Sequence, residues 1–185
     1  VKNLVTVSNL SSSRALRDVT ESYGGTYFAS AVGEVNATTL MHEKGAIIGG
    51  EGNGGVIYPA IHSGRDAMVG VALFLSNLAH KKMTVSELKK TYPEYHIAKN
   101  KIELSDKGLI DKILSELKVI YAHENVNDID GVKISFEDKR EWVHLRKSNT
   151  EPIIRIYSEA PTEEEAVKLG EKVIAVAEKI ISSAK

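Results

Sequence analysis

The feature that most constrains this chain is a change of rhythm near residue 95. Before it, short apolar runs alternate with helical patterns that end on glycine. Residues 3–10, with Leu4, Val5 and Val7, read as a buried strand, and residues 11–23 as a helix stopped by Gly24 and Gly25. A β-branched and aromatic stretch at 26–32 predicts a second strand, residues 34–44 a helix ending at Gly45, and 46–48 a third strand. A glycine-dense loop, a strand at 56–58 and a helix from 65 to about 81 follow. Ser63 stands three residues before Asp66, the spacing of a capping box. Strands alternating with helices predict a largely parallel sheet covered on its faces, an α/β domain.

Past residue 81 the pattern changes. Residues 84–90 and Tyr92-Pro93-Glu94-Tyr95 read as a connector. Then come a strand (97–104), a helix (108–117), strands at 131–136, 141–145 and 153–158, and a last helix opened by a Thr162/Glu165 capping box. Its apolar stripe is read as Val167, Val173, Ile174, Ala177 and Ile181, and Trp142 with Leu145 as one core-facing strand face. This order predicts a small α+β sandwich. The expected organisation is an α/β domain over 1–91, a connector over 92–96 and an α+β domain over 97–185. The 185 residues carry 24 Lys and Arg against 25 Asp and Glu, so nothing marks a nucleic-acid or anionic-membrane surface. The absence of cysteine excludes a disulfide scaffold, a thiolate metal site and a thiol nucleophile. The longest apolar run, 67–75, is far below the roughly 18 residues of a membrane span. With no signal peptide after Val1, a cytoplasmic protein is the expectation.

Two clusters carry possible chemistry. The first, Gly49-Gly50-Glu51-Gly52-Asn53-Gly54-Gly55, holds five of the chain's 14 glycines. Gly50, Gly52 and Gly55 satisfy a bare G-x-G-x-x-G string, but a dinucleotide site needs a helix to open at the third glycine. Here Val56-Ile57-Tyr58-Pro59 follows, which is strand-like. The remaining readings are a flexible turn, or a ligand loop in which missing side chains let Glu51 and Asn53 reach a sugar diol. The second cluster is Arg146-Lys147-Ser148-Asn149-Thr150-Glu151-Pro152-Ile153-Ile154-Arg155. Ser148 and Glu151 have capping-box spacing, yet a strand follows rather than a helix. Hydroxyls, an amide and backbone N–H groups between two arginines are the parts of a metal-free phosphate site. Lys147 is read as solvated surface. The six histidines are scattered without metal spacing, and only His62, close behind the glycine loop, stands near a candidate site.

The 146–155 string is similar to the phosphate-binding loop of the α-D-phosphohexomutases, the family of phosphoglucomutase, phosphomannomutase and phosphoglucosamine mutase. Gly50-Glu51-Gly52-Asn53-Gly54-Gly55 resembles that family's sugar-recognition loop. The resemblance covers essentially the whole chain. It departs from the commonest pattern at Asn53 (Ser is usual), Gly55 (His) and Ala31 (often Lys), as the archaeal-type branch does.

The resemblance implies that the chain is the third domain, N-terminally shortened, and the fourth domain of such an enzyme. It assigns sugar binding to Glu51, Asn53 and Gly54, and phosphate binding to Arg146, Ser148, Asn149, Thr150 and Arg155. The family's phosphoserine loop, resembling Thr-x-Ser-His-Asn-Pro, and its Mg²⁺ loop, resembling Asp-Gly-Asp-Gly-Asp-Arg, do not occur here. Asp128-Ile129-Asp130-Gly131 lacks the third carboxylate and the Arg. The implied whole enzyme uses Mg²⁺ and interconverts hexose 1- and 6-phosphates, with catalytic and metal residues outside this chain. The implied partners are a hexose phosphate and the protein's own N-terminal domains. A stand-alone sugar-phosphate-binding module remains the alternative, and a nucleotide-dependent oxidoreductase a weaker one.

Overall fold

The computed structural model describes residues 3–104, 107–148 and 151–183, which form two compact units, Val1–Glu94 and Tyr95–Lys185. In the first, β1 (Val5–Asn9) lies between two parallel partners, β2 (Thr26–Ser30) and β3 (Ile48–Gly50). Two antiparallel strands, β4 (Val56–Tyr58) and β5 (His62–Arg65), extend the sheet to the order β2-β1-β3-β4-β5. Helix α1 (Ala15–Ser22) joins β1 to β2, and α2 (Glu34–Lys44) joins β2 to β3. The chain thus leaves β1 on one side and returns to β3 on the other. Loops at the carboxyl ends of β1 and β3 diverge there, the point at which open α/β sheets hold ligands.

Val7, Ala37, Met41, Ala46 and Ile57 form the core of this unit, flanked by Val5, Phe28 and Leu40. Gly49 belongs to it by having no side chain: a Cβ there would lie 2.4 Å from the Val7 carbonyl oxygen and 2.7 Å from Met41 Sδ. The unit continues through α3 (Ala67–Lys81) and α4 (Val85–Lys89). On α3 only Val69 is buried, while Met68, Val71, Phe74 and Leu75 are exposed. No described helix is long and apolar enough to cross a membrane.

Four local readings are corrected. The third strand is Ile48–Gly50, two residues later than 46–48, because its glycines allow close packing on Val7. Ser63 is an exposed residue of β5, and Asp66 itself caps α3, its Oδ1 accepting from Val69 N at 3.0 Å. The first helix starts at Ala15 rather than 11, because Asn9 Oδ1 accepts from Ser11 N and Ser12 Oγ and holds a turn there. The stretch 84–90 contains α4, opened by a Thr84/Glu87 capping box.

The second unit is one antiparallel sheet, order β6-β10-β9-β8-β7, built from β6 (His96–Glu103), β7 (Asn125–Asn127), β8 (Val132–Phe136), β9 (Glu141–Lys147) and β10 (Ile153–Ala160). Helices α5 (Lys107–Ile120) and α6 (Glu163–Ser183) pack on it in an α+β sandwich. Ile110, Ile113 and Leu117 from α5, and Val173 and Ala177 from α6, meet Ile134, Val143, Leu145, Ile154 and Ile156. On α6 the buried line is Ala166, Leu169, Gly170, Val173, Ala177 and Ile180, so Val167 points outward instead.

Trp142 is buried as expected, but the face assigned to it is corrected. Side chains alternate along a strand, so residues three apart lie on opposite faces. Leu145 belongs to the helix-covered core, whereas buried Trp142 shares the other face with His144, Arg146, Tyr157 and Glu159, donating Nε1–H to Glu159 Oε1 at 2.7 Å.

Candidate functional site

The glycine cluster is the turn of the β3–β4 hairpin, with Gly50 opposite Val56. Glu51 N donates to the Gly55 carbonyl at 2.9 Å and Gly54 N to the Glu51 carbonyl at 3.1 Å, so the loop closes on itself. Gly54 adopts φ +93°, which a residue with a Cβ takes up only under strain. Gly52 meets the loop after β1, where a Cβ would come within 2.9 Å of the Ser11 carbonyl. Most of the glycine density therefore serves close packing at the sheet's reversal point, rather than an open path for side chains.

Glu51 sits in that crevice with its side chain only 6% exposed. Its Oε1 accepts from Asn9 Nδ2 at 3.1 Å, and its Oε2 from Asn53 Nδ2 at 3.4 Å. Arg65 Nη1 stands 3.6 Å from the same Oε2. Asn53 also accepts through Oδ1 from Gly55 N at 3.0 Å.

Arg65 reaches the site from β5, and its other end is tied to Glu34 in the first turn of α2. Its backbone N donates to Glu34 Oε1 at 2.9 Å and its Nε to Oε2 at 2.8 Å. These two bonds from Arg65 hold the Glu34 carboxyl below the usual carboxylate range, with smaller help from the charges of Arg65 and His62. His62 is exposed and uses Nδ1 to accept from Gly64 N. The structure thus gathers Glu51, Asn53 and Gly54 with three residues that sequence reasoning passed over: Asn9, Glu34 and Arg65. Asn9 carries a signal, as the last residue of a parallel strand at a ligand-holding edge. Arg65 carries none, because its role depends on a short hairpin that the sequence does not announce.

In the second unit, β9 and β10 form a hairpin whose turn end bears the other cluster. Arg146 and Arg155 are directly opposed across the ladder, on one face. Like charges so placed repel unless counter-charge is near. Arg155 Nη2 lies 3.8 Å from Glu151 Oε2. Arg146 Nε lies 3.4 Å from Asp130 Oδ2, buried and off the line of a hydrogen bond. Ser148 is buried and its N donates to the Ile153 carbonyl at 3.0 Å, closing the hairpin. Lys147 turns outward to Asp111, 3.4 Å away. Asn149 and Thr150 lie outside the described residues. Among the described residues no three His, Cys, Asp or Glu side chains come together as a metal site would require.

Comparison with known proteins assigns both units to one family. Residues 1–95 match the family model described as phosphoglucomutase/phosphomannomutase, alpha/beta/alpha domain III, and residues 100–176 the model of that family's C-terminal domain. A probable phosphoglucosamine mutase of Methanopyrus kandleri is 30% identical over 94% of this chain, which spans 38% of that relative's length. A phosphoglucomutase/phosphomannomutase family protein of Burkholderia thailandensis has the same fold, with a TM-score of 0.75 at 22% identity over 95% of this chain and 38% of its own. So has an Aspergillus fumigatus N-acetylphosphoglucosamine mutase solved with GlcNAc-6P and magnesium, with a TM-score of 0.66 at 15% identity over 95% of this chain and 39% of its own. With two domain models matched in order and a curated relative aligned along nearly the whole of this chain, the chain belongs to the phosphoglucomutase/phosphomannomutase family and comprises its domain III and C-terminal domain.

Proposed function

We propose that this chain is the substrate-holding part of a phosphohexomutase that interconverts hexose 1- and 6-phosphates. In the whole protein a phosphoserine gives its phosphoryl group to the free hydroxyl of a sugar monophosphate, forming a 1,6-bisphosphate. The bisphosphate turns over in the site, and its other phosphoryl group returns to the serine. One site must then accept the sugar in two opposed orientations. What both orientations share is a distal phosphate and the ring hydroxyls. Glu51, Asn53 and the Gly54 turn would take the hydroxyls; Arg146, Ser148, Asn149, Thr150 and Arg155 would take the phosphate. Positioning and charge neutralisation carry most of the catalysis in phosphoryl transfer, so residues remote from the breaking bond still set the rate.

The observation that carries this reading is the opposed pair Arg146 and Arg155 beside the turn of the β9–β10 hairpin. Glu151 and Asp130 supply only part of their counter-charge, at 3.8 and 3.4 Å, and two guanidinium forks suit a phosphate. Mg²⁺, and the serine, belong to parts of the protein beyond this chain, so the chain alone turns over no hexose phosphate. The test is to titrate sulfate against the chain and against Arg155→Ala. Binding should weaken roughly ten- to a hundredfold, as expected for a lost charged hydrogen bond. Assays of the whole protein with glucose, mannose and glucosamine 6-phosphates then fix the sugar. Equal sulfate binding by Arg155→Ala, or product formed by the purified chain, would overturn the reading.

A further inference from the structure

Glu51 is not presented as a bare carboxylate. A carboxylate has about four lone-pair positions, and three neighbours already address it: Asn9 on Oε1, Asn53 and Arg65 on Oε2. The Asn9 contact is the shortest, at 3.1 Å, and Asn9 is itself buried and fixed by Ser11 and Ser12. The Oε2 contacts, at 3.4 and 3.6 Å, are the long ones. Oε1 is therefore the anchored oxygen and Oε2 the one that can exchange partners.

Arg65 can stand beside Oε2 only because its other end is held. Glu34 takes its backbone N–H and its Nε, which leaves the Nη end of the fork directed at Glu51. The route between these ends passes Gly55. A Cβ there would lie 2.4 Å from Arg65 Cδ and 2.8 Å from its Cγ. Gly55 has no positive φ to explain it, so the demand for glycine comes from the passing arginine. Glu34 is likewise pressed on the hairpin: a Cβ on Gly64 would come within 3.1 Å of its Oε1.

We propose that Arg65, clamped by Glu34 and given room by Gly55, is the positioning residue that holds Glu51 Oε2 ready for a sugar hydroxyl. The proposal rests on the reading of Glu51 as the sugar-binding carboxylate. Arg65 keeps counter-charge beside a carboxylate that is almost buried, and yields its 3.6 Å contact when a hydroxyl arrives. Because Glu34 retains the guanidinium, Arg65 does not leave the site.

The test uses the whole protein that contains this chain, with kcat and KM measured for the hexose phosphate it turns over best. Glu51→Gln, Arg65→Ala, Arg65→Lys, Gly55→Ala and the Glu51→Gln/Arg65→Ala double variant are compared, with thermal melts as a check on folding. Arg65→Ala should lower kcat/KM about tenfold or more, and Gly55→Ala should imitate it by displacing the arginine stem. Arg65→Lys should recover only part, since one ammonium cannot hold two carboxylates as a fork does. In the Glu51→Gln background, Arg65→Ala should cost little more, the non-additivity of residues acting through one another. Sulfate binding at Arg155 should stay unchanged in all of them. Full multiplication of the two effects, or parent-like kinetics in Arg65→Ala while Glu51→Gln is impaired, would overturn this proposal alone. Parent-like kinetics in Glu51→Gln would overturn the sugar-site reading beneath it. If Arg65→Ala does not fold, Arg65→Lys and Gly55→Ala carry the same comparison.

Discussion

His144 shows how one buried side chain can set the pH response of a unit. It is 1% exposed on β9, and its Nε2 lies 2.6 Å from the Asp130 carbonyl. A carbonyl only accepts, so the neutral ring carries its proton on Nε2. Burial pushes the imidazole down to about 4, with the neighbouring Lys133 and Arg146 charges adding to it and the Asp130 contacts opposing it. In the unfolded chain the same ring takes up a proton near pH 6.5. Between these values the unfolded state binds more protons, so stability is complete above about pH 6.5 and falls as the pH drops towards 4. The loss should reach about 3 kcal/mol. Denaturant melts of the second unit's transition from pH 7 to 4 measure it. His144→Gln should flatten that slope while lowering the plateau at pH 7, and an unchanged slope would show that the ring is not the sensor.

At the scale of elements, α3 separates what sequence can and cannot say. A helix ending at Lys81 was legible from its apolar run and basic last turn, but its start was not. Ser63 and Asp66 fit the capping-box spacing, yet backbone conformation decides a cap, and residues 62–65 are spent on pairing with β4. Asp66→Ala should therefore cost the first unit about 1 kcal/mol, and Ser63→Ala only a few tenths. A urea melt of each variant decides it; a larger loss at Ser63 would restore the capping box. The same limit hid β5 and β7, strands of 4 and 3 residues whose pairing comes from neighbours rather than from their own pattern. Helix α2 was readable end to end, from Glu34 to the left-handed Gly45, because the glycine marks its stop. The two ligand loops were legible as compositions, Gly-rich with one carboxylate and Arg-flanked with hydroxyls. The Glu34–Arg65–Glu51 chain was not, because its members are brought together from three separated stretches by the sheet. Trp142 was legible as buried but not on its true face, since an odd separation along a strand reverses the face.

For the molecule as a whole, each unit closes its own sheet around its own core. Denaturant unfolding should therefore resolve two transitions, of which that of the second unit carries the His144 dependence between pH 6.5 and 4. A single transition that shifts as one would show the cores to be coupled. The strand order of the second sheet has a consequence for how the chain is made. Its first strand in sequence, β6, pairs with the last, β10, and β10 also joins it to β9. While the ribosome adds residues in order, β7, β8 and β9 can pair as they emerge, but β6 must wait for a partner that is synthesised last. Its hydrogen-bonding edge stays open through that interval, and such distant pairings are the slow ones to form. A chain that stops before Ile153 would keep its first unit and lose the second altogether, since the strand that ties the sheet together is the one still missing.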